Sequence, residues 1–84
     1  MPRYFFHIRD GHTSLDYEGT ELPDIDAARW TAVKLSGEML RDGASGSLWN
    51  EQPWQLWVTD APQDTGHTFF TLQFSATEGH PAKL

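Results

Sequence analysis

Four stretches of the chain carry large apolar residues at a regular period, and each predicts one element. Between Arg3 and Arg9 the residues Tyr4, Phe5, Phe6 and Ile8 are aromatic or β-branched, which suits a pleated strand. Asp10-Gly11 closes that run with a dipeptide that accepts positive φ in a tight turn. A return strand is expected from His12 to about Tyr17. Its apolar content is only Leu15 and Tyr17, so it reads as an edge whose acidic residues discourage further pairing. Glu18 to Pro23 reads as a loop.

The second periodic stretch predicts a helix. Asp24 is placed as N-cap, Asp26 adds negative charge to the first turn, and Gly43 is placed to adopt the left-handed stop conformation. Ile25, Ala28, Ala32, Leu35 and Met39 recur at steps of three and four and trace one apolar stripe. The small Ala28 and Ala32 allow a sheet to approach the helix axis closely. Gly37, inside the helix, costs about 1 kcal/mol relative to Ala, and nothing in the pattern says what it is for.

Gly43 to Pro53 is rich in Gly, Ser, Asn and Gln around Leu48 and Trp49, and is expected to be the most mobile internal segment. Two strands follow. Trp54 to Thr59 places Trp54, Leu56 and Val58 on one face, and His67 to Phe74 places Phe70, Leu72 and Phe74 on one face. Asp60 to Gly66 supplies the hairpin turn between them, and Ser75 to Leu84 reads as a loose tail. The sum is a single α+β domain over residues 1–84, folded over about 2–75. Its expected topology is ββαββ, with a four-stranded, mostly antiparallel sheet and one helix on one face. The order second, first, third, fourth keeps neighbouring strands antiparallel.

One helix covers one sheet face. Alternation assigns Phe6, Ile8, Leu56, Val58, Phe70 and Leu72 to the covered side, and Phe5, His7, Trp57 and Phe69 to the other. Three large rings on an uncovered face would form a patch of the kind monomers seldom leave exposed. The expectation is therefore a homodimer, or a partner protein, docked on Phe5, His7, Trp57 and Phe69. In the alternative, the Trp49 loop or the C-terminal tail folds over the rings within one chain.

Composition narrows the chemistry. The chain has 84 residues and no cysteine, which excludes disulfides, thiolate metal sites and cysteine nucleophiles. Six Lys and Arg against twelve Asp and Glu give a net charge of −6, which repels nucleic acid and anionic membranes alike. An RNA-binding sheet is thus only imitated by the aromatic face. With no signal-like or membrane-length apolar run, a cytoplasmic location is expected.

His7, His12, His67 and His80 have no ligand-like spacing and read as solvated residues; His7 with His67 across adjacent strands is the one metal pair worth testing. Asp16 to Asp26 lacks the calcium-loop pattern and reads as a solvated acidic turn. No nucleophile elbow or phosphate loop is present. The expected protein is a non-enzymatic interaction or regulatory module, without cofactor or metal. An acidic antitoxin-like inhibitor is the first alternative, and a minor enzyme or histidine-based metal binder the second.

The opening Met1-Pro2-Arg3-Tyr4-Phe5-Phe6-His7-Ile8-Arg9-Asp10-Gly11 precedes Asp16, Glu18-Gly19, Glu21-Leu22-Pro23-Asp24 and Ala27-Ala28. Together they resemble a widespread group of short bacterial proteins catalogued as a domain of unknown function. The resemblance covers about the first 40 residues, and Val58-Thr59-Asp60 and Phe70 to Phe74 fit its second hairpin more loosely. It carries no activity, ligand or catalytic residue to any position. The segment from Ala44 to Trp54 departs from the group's pattern.

Overall fold

The computed structural model describes residues 2–44, 48–49, 53–63, 65–77 and 79. Much of the Gly43–Pro53 segment and of the expected tail lies outside these residues. The described elements are β1 (Arg3–Arg9), β2 (Thr13–Ser14), β3 (Thr20–Glu21), α1 (Ile25–Met39), β4 (Trp54–Thr59) and β5 (Thr68–Phe74), with a π-helical turn, Leu40–Ala44, extending α1. The class is α+β, one helix against an open antiparallel sheet.

The sheet runs in the order β2-β1-β4-β5, with β3 paired to the other end of β1. This path follows the order expected for the four longer runs, but the count and topology differ. The expected strand His12–Tyr17 shortens to Thr13–Ser14, which pairs with Ile8 and Arg9. The expected loop Glu18–Pro23 instead holds β3, where Thr20 and Glu21 pair with Tyr4 and Arg3. One long edge strand is thus replaced by two short ones with a gap between them. The physical reason is Asp16, whose hydrogen bonds hold residues 15–19 out of the ladder.

α1 starts where an acceptor is available, since Asp24 is extended and its side chain accepts the Ala27 N–H at 2.9 Å. At its other end the helix does not stop at Gly43. The coil widens into the π-helical turn and carries Gly43 along within it.

Facing the sheet, α1 buries Ala28 and Ala32 completely and Ser36 almost so. They meet Tyr4, Phe6, Trp54, Leu56 and Val58 to form the core, against which Ile8, Ile25, Leu35, Met39, Phe70 and Leu72 pack partly buried. The six residues assigned by alternation to the helix side are all in this cluster. Where two fully buried methyl groups set the helix–sheet spacing, Ala32→Leu should lower unfolding free energy by about 1–3 kcal/mol through overpacking, read as a shifted urea midpoint with unchanged slope.

Candidate functional site

On the sheet face away from the helix, Phe5 pairs with Thr59 and His7 with Trp57 across β1 and β4. These residues were expected to be an exposed interface, and three of the four are not. Phe5 is 7% exposed, Trp57 6%, and His7 not at all. Among the described residues, the chain between β2 and β3 covers Phe5 and His7, and the Arg9 guanidinium lies 5.2 Å over the Trp57 ring. Gly19 lies against Phe5 with φ +74, so close that a Cβ there would sit 2.8 Å from the Phe5 ring and 2.7 Å from Arg3 Cγ. A side chain at that position would be both strained and obstructed.

Phe69 leaves the face for a different reason. Val58 pairs with Phe70 but Thr59 pairs with Thr68, so a β-bulge makes Phe69 an extra residue between them. Its ring turns to Tyr4, 5.4 Å away in the helix-side cluster, and to His67 at 5.5 Å, and remains 40% exposed. A single inserted residue is enough to break the period-two assignment beyond it.

Asp16 organises the cover. Its carboxylate accepts N–H groups from Phe6 (3.1 Å), Glu18 (3.0 Å) and Gly19 (3.0 Å). Its own N–H donates to His7 Nδ1 at 3.0 Å, and its carbonyl accepts the Gln63 N–H at 3.3 Å. The Phe6 N–H lies along the gap between β2 and β3, where no strand partners it. Asp16 therefore supplies what a ladder would have supplied.

Because Nδ1 accepts a main-chain N–H, the His7 proton belongs on Nε2, which donates to Thr59 Oγ1 at 2.8 Å. The Thr59 hydroxyl then donates to the Ala61 carbonyl at 2.6 Å. Histidine, carboxylate and hydroxyl thus come together, but in the reverse sense to a nucleophilic relay, in which a carboxylate accepts from the imidazole. Here the main chain feeds the ring, and the hydroxyl proton is already committed. Both His7 and Thr59 are fully buried.

The electrostatics follow from the same bonds. Burial works to raise the Asp16 pKa, but the N–H donors of Gly19, Phe6 and Glu18 outweigh it and hold the carboxyl below its ordinary value. Neither His7 nor Asp16 is the solvated group that spacing suggested. His7 and His67 are not neighbours either, since β4 lies between their strands. Among the described residues no cluster of three or more His, Asp or Glu could hold a metal ion.

A carboxylate with a lowered folded-state pKa contributes its stability in full above the unfolded value of about 4 and loses it as pH falls through the folded value. With solvent screening of this partly exposed group, Asp16→Asn should cost about 1–2 kcal/mol at pH 7. In urea unfolding the gap between variant and parent should shrink near pH 3; an equal gap at both pH values would show that the charge is not responsible.

No helix among the described residues is long and apolar enough to cross a membrane. No curated protein and no solved structure matches the chain. A family model does match, over residues 3–75, a span that takes in β1, the Asp16 loop, the helix and the second hairpin. The chain belongs to the family of domains of unknown function DUF6894.

Proposed function

We propose that the protein is a cytoplasmic, non-enzymatic interaction module that works as a homodimer, joined through the outer face of α1 rather than through the sheet. The observation that carries this reading is the pairing of Trp30, 66% exposed, with Gly37 two turns later on the same side. Beyond its own stretch of helix, nothing among the described residues approaches within 4 Å of the place a Gly37 Cβ would take. The cost of a mid-helix glycine, about 1 kcal/mol, meets no compensating contact among the described residues. A second helix lying against that face supplies one.

The face is self-complementary when two copies run antiparallel. A two-fold axis crossing α1 between Val33 and Lys34 sets Trp30 of each copy against Gly37 of the other, with the 62% exposed Val33 beside the axis. The same operation sets Asp26 opposite Arg41 at both ends, whereas a parallel pair would set like charges together. Burying roughly 150 Å² of each Trp30 at about 25 cal/mol per Å² gives about 7 kcal/mol for the two rings. Set against an association cost of about 4–15 kcal/mol, the two rings alone leave at most about 3 kcal/mol, a dissociation constant no tighter than about millimolar, to which Val33 and the Asp26–Arg41 pairs add. The reading as a binding module is also supported by the state of the most reactive-looking cluster, His7 and Thr59, whose polar atoms are engaged internally.

Sedimentation of the purified protein tests this. The parent should show a substantial dimer fraction at about 1 mM, and Gly37→Leu and Trp30→Glu should be monomeric. Gly37→Leu should keep or raise the monomer's own stability, because the added side chain meets open space and a better helix former replaces glycine. Asp26→Arg alone should weaken the dimer, and adding Arg41→Asp should restore it. A parent that stays monomeric at that concentration, or a Gly37→Leu variant as dimeric as the parent, overturns the proposal.

A further inference from the structure

Beyond the Asp16 loop the same sheet face opens. Arg9 pairs with Thr13 on β2 and with Gln55 on β4, and Gln55 pairs with Gln73 on β5. Cross-strand partners share a face, so Thr13, Arg9, Gln55 and Gln73 form one polar row across four strands. With Gly11 and Pro53 they line an open cavity of about 340 Å³. A small-molecule site of ordinary size starts at about 300 Å³.

Arg9 is set apart from the other described arginines. Arg3, Arg29 and Arg41 each bind a carboxylate, of Glu21, Asp26 and Asp42. No carboxylate among the described residues pairs with Arg9. Its guanidinium is nevertheless held in place: it lies 5.2 Å over the Trp57 ring, and its Nε donates to Thr13 Oγ1 at 3.3 Å. Those two contacts orient the guanidinium and leave its Nη groups without a carboxylate among the described residues. In a chain with net charge −6, an oriented guanidinium with no acidic partner among the described residues is a local exception to the overall field.

We infer that this row is a binding site for a small organic carboxylate, seated bidentately on the Arg9 fork. The Gln55 and Gln73 amides and the Thr13 hydroxyl face a second polar group, a hydroxyl or an amide, on the same ligand. A planar carboxylate fits the guanidinium with two parallel hydrogen bonds, which a lysine cannot reproduce. The inference concerns a different surface from α1 and stands whether or not the protein dimerises. The carboxylate could belong to a free hydroxy acid or to the C-terminus of a peptide, and the shared chemistry is the planar anion beside a polar group.

The experiment is a titration of isotope-labelled protein followed by amide and arginine side-chain NMR at low salt. The probes are malate, a short peptide with a free C-terminus, the same peptide amidated, and inorganic phosphate. Malate or the free-acid peptide should shift Arg9, Gln55 and Gln73 saturably, with a dissociation constant on the order of 1–10 mM or tighter. Which of the two binds more tightly names the source, and the amidated peptide should not bind. Arg9→Gln and Arg9→Lys should each weaken binding at least about 10-fold. Should Arg9 variants lose the fold with the Trp57 contact, Gln73→Leu at the exposed sheet edge decides, and it should weaken binding several-fold while leaving the remaining spectrum in place. No saturable shift with either carboxylate, phosphate binding equally to parent and Arg9→Lys, or unchanged affinity in Gln73→Leu would each overturn the inference.

Discussion

A single helix leaves one side of a sheet without cover, and that constraint organises everything else in this chain. The exposed side would carry Phe5, Trp57 and an imidazole, so some other part of the protein has to screen them. Among the described residues the screen over Phe5 and His7 is Leu15 to Gly19, and what holds it is Asp16: three N–H groups enter its carboxylate, its N–H enters His7, and its carbonyl takes the Gln63 N–H. An irregular segment can lie on an apolar face only if its backbone is satisfied. One aspartate does this for the loop and for the open edge of β1 at once. The short strands β2 and β3 anchor the two ends of the loop to opposite ends of β1.

That arrangement determines which surfaces are free to meet something else. His7, Asp16 and Thr59 are the side chains a chemist would first examine, and their donors and acceptors are directed at one another and at the main chain. The groups that present surface to solvent lie elsewhere. Trp30 and Val33 stand on the helix surface opposite the core. Arg9 stands where the loop ends and the sheet face emerges, held by an indole and a hydroxyl but by no carboxylate among the described residues. The two surfaces are built from different parts of the fold, and each combines an apolar or stacked anchor with polar groups.

The opening residues that mark the resemblance also acquire a physical account. Arg3 bonds Glu18 and Glu21, Tyr4 and Phe6 enter the core, Phe5 lies under Gly19, His7 meets Asp16, and Gly11 adopts φ +98 in the turn. Asp16, Glu18-Gly19 and Glu21 are the other half of the same contacts. The motif is therefore a strand together with the loop that covers it.

Local pattern alone determined the elements whose side chains repeat at a fixed period: β1, the body of α1, β4 and β5, and the helix-side residues from Phe6 to Leu72. Period two and period three-to-four are properties of the backbone, so they can be read without knowing the partners. The fate of the opposite face was decided only in three dimensions. An aspartate in a polar stretch looks solvated until the fold brings Phe6, Glu18 and Gly19 to it. A bulge at Phe69 shifts alternation by one residue without a sequence mark of its own. Trp30 and Gly37 look unremarkable in the chain, because exposure is a property of the assembled surface and not of any period.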